Sequence, residues 1–257
     1  NDIYPSRYGS WDSGIVLCLP ENSPADQFDL VIIGTPPDTH MDIANRELNS
    51  DVPPRAILIE KPACTPALTG IQQVSDLAQE HNVMLLVGYN HVLTDNTRRA
   101  DELLVQDMIG EHLTITAAFR EHWGGIFAAH PWLAGPHDSY LGYYSKGGGA
   151  CGEHSHAINI WQHFAHTCQK GRITHVTATM NMVENAHDGG AYDQVALINV
   201  ATDSGFVGSI IQDVVTQPAQ KHVRIQGGDG FIEWYVNRTS DADSIVYMLQ
   251  ETESAEE

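Results

Sequence analysis

Lysine is scarce in this chain. Four occur, at 61, 146, 170 and 221, and the 13 lysines and arginines together face 33 aspartates and glutamates, for a formal net charge of −20. Nucleic acids and anionic membrane surfaces are recognised through lysine and arginine patches, so this balance argues against both as partners. No apolar run reaches the roughly 18 residues that a membrane-spanning helix needs. The opening NDIYPSRYGSWDSG lacks the charged-then-apolar layout of a secretion signal, and a cytoplasmic protein is expected. Cysteine is equally sparse. Cys18, Cys64, Cys151 and Cys168 form no C-x-x-C pair and no zinc-module spacing, which predicts buried free thiols in a reducing compartment.

What is present divides at about residue 110. DLVIIG (29–34), AILIE (56–60) and VMLLVGYN (83–90) are unbroken apolar runs, as expected of parallel strands covered on both faces. Between and after them come helix candidates at 41–49, at 67–81 with apolar residues at 68, 71, 74, 77 and 78, and at 96–110. Strand–helix alternation of this kind predicts part of a doubly wound, Rossmann-type sheet over 1–110. Beyond Gly110, HLTITAAFRE, ITHVTATMNMV, DQVALINVA, FVGSIIQDVV, HVRIQG and GFIEWYV are strand-like, with hairpin turns at TDSG (202–205) and GGDG (227–230). A second α/β domain over 111–257, built on a large and mainly antiparallel open sheet, is expected, and alternation in ITHVTATM predicts one wet and one packed face. The tail ETESAEE reads as a solvated end.

A dinucleotide-binding sheet normally opens with a strand running into G-x-G-x-x-G, where backbone N–H groups and a helix N-terminus grip the pyrophosphate. No such motif precedes DLVIIG, and the 28 residues before Asp29 are too few for the strands, helices and loop that would carry it. A truncated fragment of a longer chain is therefore expected.

AILIEKP puts Glu60, Lys61 and Pro62 at the carboxyl end of a buried parallel strand, where ligands of doubly wound sheets bind. An ammonium there can polarise an oxygen of a bound molecule, or simply reach solvent. The succession of TPPDTH after one strand, EKP after the next, VGYN before a helix ending at Gly110, and a glycine triplet before a histidine-bearing helix resembles the Gfo/Idh/MocA oxidoreductases from about Asp29 to Val236. The resemblance implies a nicotinamide-dependent dehydrogenase using NAD or NADP on a hydroxyl carbon of a sugar, inositol or related polyol. It also implies a homo-oligomer formed through the C-terminal sheet. Lys61 would touch both cofactor ribose and substrate hydroxyl, and Thr35, Pro36, His40, Glu60 and Asn90 are carried over as cofactor contacts.

The segment KGGGACGEHSHAINIWQHFAH (146–166) holds histidines at 154, 156, 163 and 166. The resemblance makes His156 the proton acceptor and puts Asn159 at a supporting position, but it puts Gly152 where the family carries aspartate. Glu153 or His154 is the expected stand-in. Ala157, Ile160, Trp161, Phe164, Ala165 and Cys168 form one apolar helical stripe, which leaves His163 and His166 as polar-face residues. Metal binding would need three or four converging ligands, and His154 with His156 would converge only in extended backbone. No metal site is expected. Trp132, Tyr140, Tyr143 and Tyr144 are either a stacking wall for a sugar ring or packing. Two alternatives to a dehydrogenase stand: a non-enzymatic sugar- or partner-binding relative, and a metal-dependent lyase or hydrolase built on the histidines.

Overall fold

A computed structural model describes residues 9–19, 22–23, 28–184, 190–239 and 242–249. The first sheet has three parallel strands in the order β1 (Leu30–Ile33), β2 (Ala56–Ile59), β3 (Met84–Val87). Helix α1 (Pro37–Leu48) begins at Pro37, where the missing N–H costs nothing, and α2 (Ile71–Glu80) precedes β3. Their apolar stripes meet Ile33, Ile57 and Ile59 in one core with Met41, Ala44, Leu48, Val74 and Ala78. Coverage on both faces, expected of such apolar strands, is not found. Leu30, Ile32, Met84 and Leu86 are exposed, because α1 and α2 pack on the opposite face.

A 3₁₀ turn (Asn90–Leu93) leads into α3 (Asp95–Val105), which buries Ala100, Leu103 and Leu104 in the core of the second sheet. Two hydrogen bonds fix it there: Trp234 Nε1 donates to Thr97 Oγ1 at 2.9 Å, and Asn96 Nδ2 to the Tyr235 carbonyl at 2.9 Å.

The second sheet holds β4 (His112–Arg120), β5 (Ile173–Glu184), β6 (Ala191–Thr202), β7 (Val207–Asp213), β8 (Gln220–Gly227), β9 (Gly230–Thr239) and β10 (Ala242–Leu249). Their spatial order is β10-β9-β8-β4-β7-β6-β5; β4 and β7 are parallel and every other pair antiparallel. Strand β10 escapes the sequence reading, which stops at GFIEWYV. The expected helix over 146–168 is two: α5 (Gly149–Glu153) and α6 (His156–Thr167), bent at His154 and Ser155, after the short α4 (Trp123–Ala128). The apolar stripe of α6 is the centre of the larger core, with Ile160, Trp161 and Phe164 fully buried against Ile115, Phe119 and Ile210. Strand β5 departs from the alternation expected of it: it is exposed over nearly its whole length on both faces, because it is the edge of the sheet among the described residues. Among the described residues no helix is long and apolar enough to cross a membrane. All four cysteines are free, but only Cys168 is buried; Cys18 is exposed, which corrects the expectation of uniform burial.

Candidate active site

The loops that leave β1 and β2 meet the glycine-rich elbow of the second sheet around one cavity of about 420 Å³. Its walls include Thr35 and Pro36 after β1, Glu60 and Lys61 after β2, and Tyr140 and Glu153 from the facing half. Lys61 Nζ donates to Glu153 Oε2 at 3.0 Å and to the Glu153 carbonyl at 3.0 Å. The two side chains are 17% and 20% exposed, so the pair is shielded from much of the screening that weakens surface ion pairs. Glu153, not His154, is therefore the carboxylate that faces Lys61. His154 is 3% exposed and turned inward, its carbonyl accepting from Gln212 Nε2 at 2.5 Å.

Backbone geometry aims Glu153. Asp193, buried in β6, accepts from the Cys151 N–H at 2.8 Å and so pins the first turn of α5. Gly149 has φ +82°, and a Cβ there would strike the Asp193 carboxylate, so glycine is the residue that this turn tolerates. Burial and the same carboxylate push the Cys151 thiol up, far from the thiolate a nucleophile needs.

His156, the first residue of α6, is half-buried and is not among the cavity walls. Its ring packs against Tyr89 (centroids 5.5 Å apart), His91 (4.7 Å) and Phe119 (6.4 Å). Nδ1 is sealed from solvent with no hydrogen-bond partner among the described residues. Burial first, then the charges of His91, Lys61, Lys221 and His154, push the imidazole down to about 3. It is neutral at physiological pH, the form that accepts a proton. His91, overlooked in the sequence, is wedged between His156, Phe119 and Trp234, and its own pKa is lowered by burial and by Lys221.

The other expected contacts scatter. Thr35 Oγ1 accepts from Thr39 Oγ1 at 2.7 Å, and Pro36 caps α1. His40 is fully buried, with Nε2 2.7 Å from the Thr35 carbonyl and Nδ1 3.3 Å from the Ala63 carbonyl. It ties the two loops together and has no surface to offer a cofactor, which corrects its assignment as a contact. Glu60 is exposed, and its carboxylate accepts from the Lys61 N–H at 3.2 Å. Asn90 is exposed, and the Asn159 side chain makes no hydrogen bond among the described residues. His163 lies 2.9 Å from Asp101 Oδ2, clasping α6 to α3, and His166 is exposed. Among the described residues no three His, Cys, Asp or Glu side chains converge as metal ligands would. Of the four aromatic candidates, Tyr140 lines the cavity, while Trp132 and Tyr144 are about half exposed.

Residues 11–89 match the family model of the Gfo/Idh/MocA oxidoreductases, described as an oxidoreductase family with an NAD-binding Rossmann fold. The matched stretch covers less than a third of the chain. Solved structures similar to this chain include GenD2 from gentamicin A biosynthesis in complex with NAD. That protein is 21% identical, with a TM-score of 0.72 over 95% of this chain and 64% of the other. An inositol dehydrogenase homolog from Azotobacter vinelandii, complexed with NADH and myo-inositol, is 16% identical with a TM-score of 0.64. The match covers 86% of this chain and 56% of that one, so the chain spans little more than half of that relative's length. A levoglucosan dehydrogenase with NADH and levoglucosan is 19% identical, with a TM-score of 0.65 over 86% and 61% of the two chains. At these identities the likeness establishes the fold. No curated protein matches the sequence.

Proposed function

We propose that the protein is an NAD(P)-dependent dehydrogenase that oxidises a CH–OH carbon of a sugar, inositol or related polyol. Residues 1–110 then form the cofactor half and 111–257 the substrate half. The observation that carries this reading is the Lys61–Glu153 pair, which joins the carboxyl end of a parallel strand to the glycine-rich elbow across one cavity. NAD is the first choice of cofactor, given the family model and the NAD- or NADH-bound relatives. Thr35, Pro36, Glu60 and Lys61 stand where strand carboxyl ends place ligands, which fits a nicotinamide and its ribose. When bound, that group accepts hydride from the carbinol carbon.

The chain's own residues do the rest. Lys61, fixed by Glu153, donates to the reacting oxygen and stabilises it as negative charge develops. His156, neutral and shielded, takes the hydroxyl proton. A second reading makes Glu153 the acceptor, because Glu153 and not His156 lines the cavity. Comparing His156→Asn with Glu153→Gln in the complete gene product separates them. The first reading expects His156→Asn to cut kcat ~10²–10⁴-fold at neutral pH and Glu153→Gln to cut it less. The reverse order assigns the base to Glu153, and full activity in both removes the mechanism.

The same reading makes the protein a homo-oligomer through the open sheet, supported by the exposure of Val176, Met180, Met182 and Leu197 on β5 and β6. It also makes the protein cytoplasmic, where four free thiols stay reduced.

A further inference from the structure

The cavity at Lys61 has a neighbour. A second compartment of about 250 Å³ is lined by Asp38, His137, Asp138, Tyr143 and Lys146, and it shares Pro36, Ser139 and Tyr140 with the first. Pro36, Ser139 and Tyr140 thus border both spaces, which adjoin. We propose that the outer compartment is a glycosyl subsite, so that the substrate is a neutral sugar carrying a second ring. This inference rests on the dehydrogenase reading of the inner compartment and names the substrate class for it.

The chemistry of the lining decides what fits. Asp38 and Asp138 bring two carboxylates, and Lys146 one ammonium, whose Nζ sits 4.7 Å from the centre of the Tyr143 ring. The balance is net negative. A phosphate or nucleotide diphosphate would meet repulsion there, with one cation to offset it. Hydroxyl groups would not: carboxylates accept from them and an ammonium donates to them. The tyrosines at 140 and 143 add apolar surface with polar ends, suited to a sugar ring that has C–H faces and hydroxyl edges. His137 Nε2 lies 3.4 Å from Asp138 Oδ1, and Asp138 Oδ2 accepts from the Ala134 N–H at 2.7 Å, so this wall is held in place before any ligand arrives. The reacting ring then lies beside Lys61, and the second ring lies past Tyr140.

Calorimetric titration of the full chain with D-glucose, maltose and cellobiose, in the presence of NAD⁺, tests this. These sugars differ by one ring, in α or β linkage. At least one disaccharide is expected to bind about tenfold more tightly than glucose or better. That ratio should fall to about one in Tyr143→Ala and persist in Tyr143→Phe, which keeps the ring. Disaccharides that bind no tighter than glucose, or a ratio untouched by Tyr143→Ala, overturn the subsite while leaving the dehydrogenase reading in place. Absence of binding by all three sugars and by myo-inositol overturns both.

Discussion

At the level of single residues, the outcome turns on which side chain answers Lys61. Sequence order leaves the stand-in for the family aspartate open between Glu153 and His154, because the bend at His154 and Ser155 has no strong local signal. In the fold, α5 aims Glu153 at the ammonium, while the backbone carbonyl of His154 accepts from Gln212. A charged pair that acts as a unit should respond non-additively to mutation. Lys61→Met and Glu153→Gln are each expected to lower kcat ~10²-fold or more, with the double variant little worse than Lys61→Met alone; steady-state kinetics on all three checks this. His91 was not legible in the sequence at all. Its importance comes from a contact with His156 across 65 positions of sequence, which no local pattern announces.

Among the elements, α6 and the strands were the most legible, since burying an apolar stripe or run is what their patterns encode. The stripe read from Ala157 to Cys168 is the buried stripe of α6. Edges and ends were least legible. Strand β10 lies beyond the last apolar run read from the sequence, and β5 alternates as a half-buried strand should yet lies at an edge that nothing described covers. The glycine run was legible as a point of close approach, and the structure supplies the reason in Gly149 and Asp193. Gly149→Ala forces a side chain into left-handed backbone and against a buried carboxylate. It is expected to cost about 1–3 kcal/mol from backbone strain alone, read as a lower urea midpoint. Glu153 should move with the turn, so Lys61-dependent turnover should fall further than stability does.

For the molecule as a whole, two consequences follow from what is buried. His154 is held down to about 4 and His156 to about 3, each mainly by burial. An unfolded histidine takes up a proton near pH 6.5, whereas these two resist until much lower. Their contribution to stability is therefore complete above about pH 6.5 and drains away as pH falls toward 4 and then 3. For the deeply buried His154 alone this amounts to roughly 3 kcal/mol. Urea melts at pH 7.5 and pH 5 should show the acid sample clearly less stable, and a reversible gain in stability on acidification would contradict the burial of these rings. The second consequence concerns assembly. Val176→Arg combined with Leu197→Arg, on the exposed strands β5 and β6, should convert an oligomer into monomers without unfolding it. Light scattering coupled to size exclusion reads the change.

The account rests on Lys61 serving an oxygen whose carbon gives up hydride. Label transfer measures that directly: a polyol carrying deuterium on its carbinol carbon is incubated with NAD⁺ and the complete protein, and the nicotinamide is analysed by mass spectrometry. The account predicts deuterium on the reduced nicotinamide, and transfer slowed ~10²-fold or more in Lys61→Met although NAD⁺ still binds. Transfer at the wild-type rate in Lys61→Met, or an unlabelled nicotinamide with every polyol and sugar tried, would contradict it.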